Sequence, residues 1–207
     1  MNKRLANAFW VGAAFVGCVL AADAGAADVN QLVAVCADCH GAKGASKDPE
    51  VPIIGGYSTE FVTNNLKAYQ TKERDCPETK FVSGPKKGTK TDMCQIVKNF
   101  SAADIKDIAA YFAKQKFVRA KQKFDPALAQ KGKQLHEDYC EKCHTQGGTV
   151  ADDDVGLPAG QWMPYLRKAM KEFKSGARPI AKKMKAKLDE VDDAGVEALI
   201  NYYGSIQ

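Results

Sequence analysis

The amino-acid sequence predicts an all-α chain built from two tandem helical units, and three observations carry that expectation. The pentapeptide C-x-x-C-H occurs twice, as "CADCH" at 36–40 and "CEKCH" at 140–144. The stretches around the two copies repeat each other over much of their length. Apolar residues elsewhere recur at helical spacing, and no period-two strand pattern competes with them.

Residues 1–26 read as a secretory signal, because Lys3 and Arg4 precede the apolar run "LANAFWVGAAFVGCVLA" and the small residues of "ADAGAAD" follow it. That run falls short of the ~20 residues a membrane span needs, so no stable membrane insertion is expected. Cys18 stands in "FVGC", which resembles a lipoprotein acylation site, although Phe15 suits one poorly. The first unit is assigned to 27–113. In it "VNQLVAVCADC" is a helix entering the first motif, "STEFVTNNLKAYQ" is a second helix capped by Ser58, and "SAADIKDIAAYFAKQ" closes the unit from Ser101. Residues 114–124, "KQKFVRAKQKF", form a basic linker, read either as a solvated extension of the preceding helix or as a docking element. The second unit is assigned to 125–207. It begins with "PALAQKGKQLHEDYCEKC", where Asp125 is placed as N-cap and Pro126 in the first turn. "QWMPYLRKAMKEF" follows, and "DDAGVEALINYYGSI" closes the unit from Asp192.

C-x-x-C-H is the attachment sequence for c-type haem. On one helical turn residues i, i+3 and i+4 share a face, so two thiols can add to the haem vinyl groups while the next imidazole reaches iron. Cys36, Cys39 and His40 then hold one haem, and Cys140, Cys143 and His144 a second. A thioredoxin-like C-x-x-C would want a βαβ pattern, and a zinc site would want four ligands where each motif supplies at most three. Two covalently bound haem c groups are therefore expected. Each unit has only roughly 80–90 residues, small for a free-standing core, and a haem supplies the missing apolar bulk.

The repeat points to the sixth iron ligands. An offset of 104 maps Cys36 onto Cys140, Gly56 onto Gly160, Leu66 onto Met170 and Tyr69 onto Phe173. After Tyr69 the register breaks, and it resumes with offset 91, which maps Ile105 onto Val196 and Phe112 onto Tyr203. The first unit thus carries 13 extra residues, 104 minus 91, between 70 and 92. Methionine thioether is a usual partner of histidine in electron-transfer cytochromes. Of Met93, Met163, Met170 and Met184, only Met93 and Met184 fall on each other. They are the expected axial ligands of haem 1 and haem 2. The remaining histidine, His136, is expected at the surface of the helix entering the second motif.

The formal net charge of +5 falls to +4 without residues 1–26. The first unit holds 11 basic and 11 acidic residues, and the chain from Lys114 onward holds 17 and 13. So mild a balance argues against a nucleic-acid partner and suits steered docking to an acidic protein patch.

Two C-x-x-C-H units in tandem, followed by "PIIGG" and "LPAGQW", resemble the dihaem class I cytochromes c of the bacterial periplasm. The fold class then reads as two tandem class I cytochrome c domains, each built around one covalently attached haem. More closely, "AKQKFDPALAQKGKQLHEDYCEKCHTQGG", "AGQWMPYLRKAM" and "RPIAKKMKAKL" resemble the haem subunit of flavocytochrome c sulfide dehydrogenase, over nearly the whole chain beyond the signal. That resemblance implies a non-catalytic electron-transfer subunit of a periplasmic heterodimer. It would accept electrons from an FAD-containing subunit that oxidises sulfide and pass them to a soluble cytochrome c or oxidase.

Residues 71–92 depart from that family by their length and by Cys76 and Cys94, which have no thiol counterparts in the second unit. In an exported chain the simplest expectation is a disulfide between them, worth roughly 3 kcal/mol on the chain-entropy model. The rival readings are Cys94 as a thiolate on iron or as a carrier of sulfur. Two further rivals concern the whole chain: a free-standing dihaem carrier without a flavin partner, and a dihaem enzyme with an open or unusually ligated iron.

Overall fold

In the computed structural model, residues 28–207 are described; the signal reading of 1–26 and Cys18 lie outside them. The first domain runs α1 (Val29–His40), α2 (Thr59–Gln70), a hairpin of β1 (Thr79–Lys80) and β2 (Lys90–Thr91), α3 (Met93–Val97) and α4 (Ala102–Ala113). The second runs α5 (Pro126–Tyr139), a single turn α6 (Thr145–Gly148), α7 (Met163–Ser175), α8 (Lys182–Asp189) and α9 (Asp193–Ser205).

The long helices begin where a side chain can satisfy their free N–H groups. Asp28 accepts from the Asn30 amide, Ser58 from Phe61, and Asp125 from Ala127 and Leu128. Ser101 and Asp104 complete a reciprocal capping box, and Asp192 accepts from Gly195. The exceptions are α7 and α8, which start without a side-chain cap. In each domain the last helix crosses the one that carries the haem motif: α4 on α1, and α9 on α5. The second crossing is the more extensive and is tight at Gly132, where an added Cβ would stand 2.0 Å from the Ala198 carbonyl oxygen. The first core gathers Val33, Val62, Leu66, Val97, Ile105, Ile108 and Phe112, and the second Leu166, Leu188, Val191, Val196, Leu199, Ile200 and Tyr203.

The repeat is visible in hydrogen bonds. Gly56 donates to the Phe112 carbonyl at 2.8 Å, and its equivalent Gly160 donates to that of Tyr203, also at 2.8 Å. Both glycines have positive φ, +85° and +78°, and a Cβ on either would strike backbone within 3 Å, so this turn admits little else. Arg74 donates from its amide to Ala68, and Arg178 to Glu172, which is the same bond under the offset of 104. The first register therefore extends to Arg74, five residues beyond the Tyr69 limit read from the sequence. The 13 extra residues lie within 75–92, where the second domain has only 179–183.

Two elements differ from expectation. Residues 79–91 form a hairpin whose strands, Thr79–Lys80 paired with Lys90–Thr91, are too short to leave a period-two trace. The linker is no continuation of α4. Beyond Lys114 it runs without helix, buries Ala120, and donates that residue's amide to Gly160 at 2.7 Å.

The domains meet through a buried polar seam. Gln161, fully buried, accepts from the Ile53 amide at 2.8 Å and donates to the Ile53 carbonyl at 2.9 Å and to the Tyr57 hydroxyl at 3.1 Å. Trp162 Nε1 donates to Ser46, and the Tyr165 amide to Pro49. Tyr57 and Gln161 are equivalents under the offset of 104, so a pseudo-two-fold axis passes close to their contact.

Candidate functional site

Both motifs are presented by helix ends. Cys36, Cys39 and His40 occupy the last turns of α1. Cys140 caps α5, and its carbonyl accepts from the amides of Cys143 and His144 at 3.1 and 2.9 Å, which continues the turn. Burial raises the pKa of the Cys36 thiol to about 12 and also raises those of Cys39 and Cys140. Burial thus disfavours the thiolate at these three cysteines, in contrast to the low-pKa cysteines of thiol catalysis.

The two motif histidines differ in how they are held. His40 Nδ1 donates to the Pro52 carbonyl at 2.9 Å, which orients the ring and leaves the Nε2 lone pair available. Burial lowers its pKa and so favours the neutral imidazole that ligation needs. For His144 burial, the largest cause, lowers the pKa to about 4. Its buried Nδ1 has no hydrogen-bond partner among the described residues. The Gly156 carbonyl, which replaces that of Pro52 under the offset of 104, opposes the shift without being aligned for a bond.

A cavity of about 470 Å³ opens beside His144. Cys140, Cys143, His144 and Met184 all line it, along with Leu157, Phe173, Ile180 and Leu199. An apolar space of this size, carrying two thiols, a neutral imidazole and a thioether, fits a covalently held haem. Met184 sits in α8, whereas Met163 is buried in the α7–α9 core and its Cγ and Sδ would lie within 2.6 Å of a Cβ added at Gly204. Met170 lines the same cavity as Met184 from α7.

Met93 opens α3 behind an Asp92 cap and packs on the same core that Cys36 joins. Gln70 ties this segment to α2, donating to the carbonyls of Val97 and Phe100 at 2.8 and 2.7 Å. In the second domain Lys174, the equivalent of Gln70, donates to the carbonyl of Val191, the equivalent of Phe100, at 3.2 Å. Both methionine-bearing helices are thus held by the same device. Cys76 and Cys94 are joined in a disulfide with Cα atoms 5.8 Å apart, so neither sulfur is free to reach iron.

His136 does not lie at the surface. Its ring is 1% exposed, with Nε2 donating to Glu141 at 2.6 Å and Nδ1 accepting from the Tyr203 hydroxyl at 2.9 Å. The correction follows from the close α5–α9 crossing at Gly132, which places Tyr202 and Tyr203 against this side of α5. Glu141 in turn accepts from the amides of Gln146 and Gly147. His136 therefore braces the turn that carries the second motif.

Sequence reasoning also missed Arg74 and Arg178. Both are 7% exposed, both line the cavity, and each guanidinium stacks 4.5 Å from an aromatic centroid, Tyr69 and Phe173 respectively. The one carboxylate paired with them among the described residues is Glu172, 3.3 Å from Arg74. Arg74 Nε has no hydrogen-bond partner among the described residues. Although burial raises the Tyr165 pKa, Arg178 and then Arg74 outweigh it and leave that phenol below its ordinary value. Two buried cations against one carboxylate call for another anion. The carboxylates of a haem would supply it. The signal was present in the sequence, since 74 and 178 differ by the same 104.

With this geometry in hand, comparison with known proteins is specific. Residues 26–116 match the family model for cytochrome c. Cytochrome c4 of Stutzerimonas stutzeri is 32% identical over 196 residues, covering 86% of this chain and 88% of that protein. Cytochrome c4 of Pseudomonas aeruginosa is 30% identical, covering 87% and 90%. The crystal structure of reduced recombinant cytochrome c4 from Pseudomonas stutzeri superposes with a TM-score of 0.69 at 26% identity, covering 87% of this chain and 99% of that one.

Proposed function

The chain belongs to the dihaem cytochrome c4 family and carries two covalently bound haem c groups, and from that premise we propose that it is a periplasmic carrier moving single electrons between its two domains. When bound, each haem supplies one-electron ferric/ferrous chemistry. His40 and Met93 would ligate the first iron and His144 and Met184 the second, which leaves neither site open to substrate. Arg74 and Arg178 would hold the haem carboxylates at the domain seam. No described helix is long and apolar enough to cross a membrane.

The observation that carries this reading is the position of the second cavity. Tyr57, Phe61, Asn65 and Arg74 of the first domain close one side of it, so the second cofactor would abut the first domain rather than solvent alone. A redox titration of the haem-loaded protein is expected to resolve two one-electron steps with low-spin ferric spectra. A high-spin ferric resting state would instead mean an open iron and an enzyme.

A second reading is the haem subunit of a flavocytochrome c sulfide dehydrogenase. It is favoured by the sequence resemblance from Tyr111 onward. Purification from the native host decides between them. Co-purifying FAD and haem reduction by sulfide would identify the subunit, and absence of both the free carrier.

A further inference from the structure

We propose that the inserted hairpin of the first domain is a docking platform for an acidic protein surface that exchanges electrons at the first haem site. This rests on the electron-carrier reading above and adds where one partner binds and with what charge.

The hairpin stands beside the first haem motif. Ser83 donates from its amide and its hydroxyl to the Asp38 carbonyl at 2.9 and 3.0 Å, and Asp38 lies between the two haem-attaching cysteines. The Lys80 carbonyl oxygen is 4.0 Å from Cys39 Sγ. The second domain has no counterpart to this segment, and there Cys143 is exposed. A protein seated on the hairpin would therefore face the Cys39 edge of the first site.

The hairpin also concentrates charge. Residues 77–91 contain four lysines and one glutamate, while the rest of 27–113 contains seven basic and ten acidic residues. In a first unit neutral in total, the hairpin thus carries three net positive charges, beside the Asp38 carboxylate of the haem motif, which lies against Gly84. Lys90 pairs with Glu78 at 3.0 Å. Lys80, Lys86 and Lys87 are exposed and have no ion-pair partner among the described residues. Lys80 and Lys90 are direct cross-strand partners, and like charges so placed destabilise a ribbon. Glu78 offsets only Lys90, so Lys80 keeps its charge for an acidic partner.

The platform is anchored rather than loose. Phe81 is 6% exposed, Thr91 is buried, Lys86 Nζ lies 5.8 Å from the Phe81 ring centroid, and the Cys76–Cys94 disulfide closes the base. With Phe81 turned inward the hairpin shows no exposed large apolar side chain, which suits a transient, charge-steered partner.

The test uses the haem-loaded full chain and flavodoxin as a defined acidic redox protein. Oxidised flavodoxin is titrated calorimetrically against the ferric protein, and flavodoxin hydroquinone is mixed with it in stopped flow. At low ionic strength, the combined Lys80→Glu, Lys86→Glu and Lys87→Glu variant is expected to weaken binding and slow reduction about tenfold, with the difference vanishing at high salt. Lys86→Gln with Lys87→Gln, confined to the turn, should give an intermediate loss. Lys121→Glu with Lys123→Glu, in the basic linker, should change both by less than twofold. Unchanged binding and rate in the triple variant would overturn the proposal, as would an equal loss in the linker variant. If flavodoxin hydroquinone and dithionite both fail to reduce the wild-type haems, the carrier reading itself fails.

Discussion

At the scale of single residues, comparing the two halves singles out positions that neither half marks alone. Met93 and Met184 share a repeat position and a common tether, Gln70 or Lys174, while Met163 is spent on packing against Gly204. Replacing Met184 by Leu in the haem-loaded protein is expected to abolish the sulfur-to-iron charge-transfer band of one haem. Its midpoint potential should fall by on the order of 0.1 V, a fraction of the ~0.8 V that axial ligands span. Met170→Leu should leave both unchanged, and redox titration with absorption spectroscopy reads the pair. Arg178→Leu removes a buried positive charge, and a positive charge favours the ferrous state over the ferric. The nearby potential should therefore fall too, by roughly 1–2 kcal/mol of electron affinity for a charge on the order of 10 Å away at an effective dielectric near 20. The motif residues stand out in the sequence because covalent attachment of haem would demand a rigid spacing. The arginines went unread because Lys72 and Gly176, which share a turn with positive φ, have nothing chemical in common. His136 was misplaced for a different reason: its burial comes from α9, sixty-odd residues away in sequence.

At the scale of elements, caps and apolar periodicity make the long helices legible in the amino-acid sequence itself. Asp125, Ser58, Ser101 and Asp192 stand where the chain needs them. The elements that went unread are short or irregular. α3 has five residues and the hairpin strands two each, below the length at which a period can declare itself. The linker's course is set by Gly160, which lies outside it. The insertion has an energetic signature that can be measured. Replacing Cys76 and Cys94 together by Ser frees a closed segment of 18-residue separation. Guanidinium unfolding should show a loss of roughly 3 kcal/mol, with the first haem's methionine band weakened more than the second's. Equal stability of wild type and variant would mean that the bridge constrains nothing beyond what Phe81 and Gln70 already hold.

At the scale of the whole molecule, each domain is too small to rely on its own apolar side chains, and the cavity beside His144 is the volume that a cofactor would fill. Chain produced without haem attachment is therefore expected to lose most of its helical far-ultraviolet circular dichroism and to melt without a sharp transition. A native-like spectrum with cooperative melting would refute this. The contact between Tyr57 and Gln161 has a consequence for how such a chain could arise. A side chain that touches its own repeat equivalent marks where two identical subunits once could have met, tyrosine to tyrosine or glutamine to glutamine. Gln161 also bonds both backbone groups of Ile53, which a tyrosine in its place would not do, so two copies of the first half lose those bonds. Haem-loaded halves expressed as separate polypeptides should accordingly pair first with second in preference to first with first, which size-exclusion chromatography of the mixture would show.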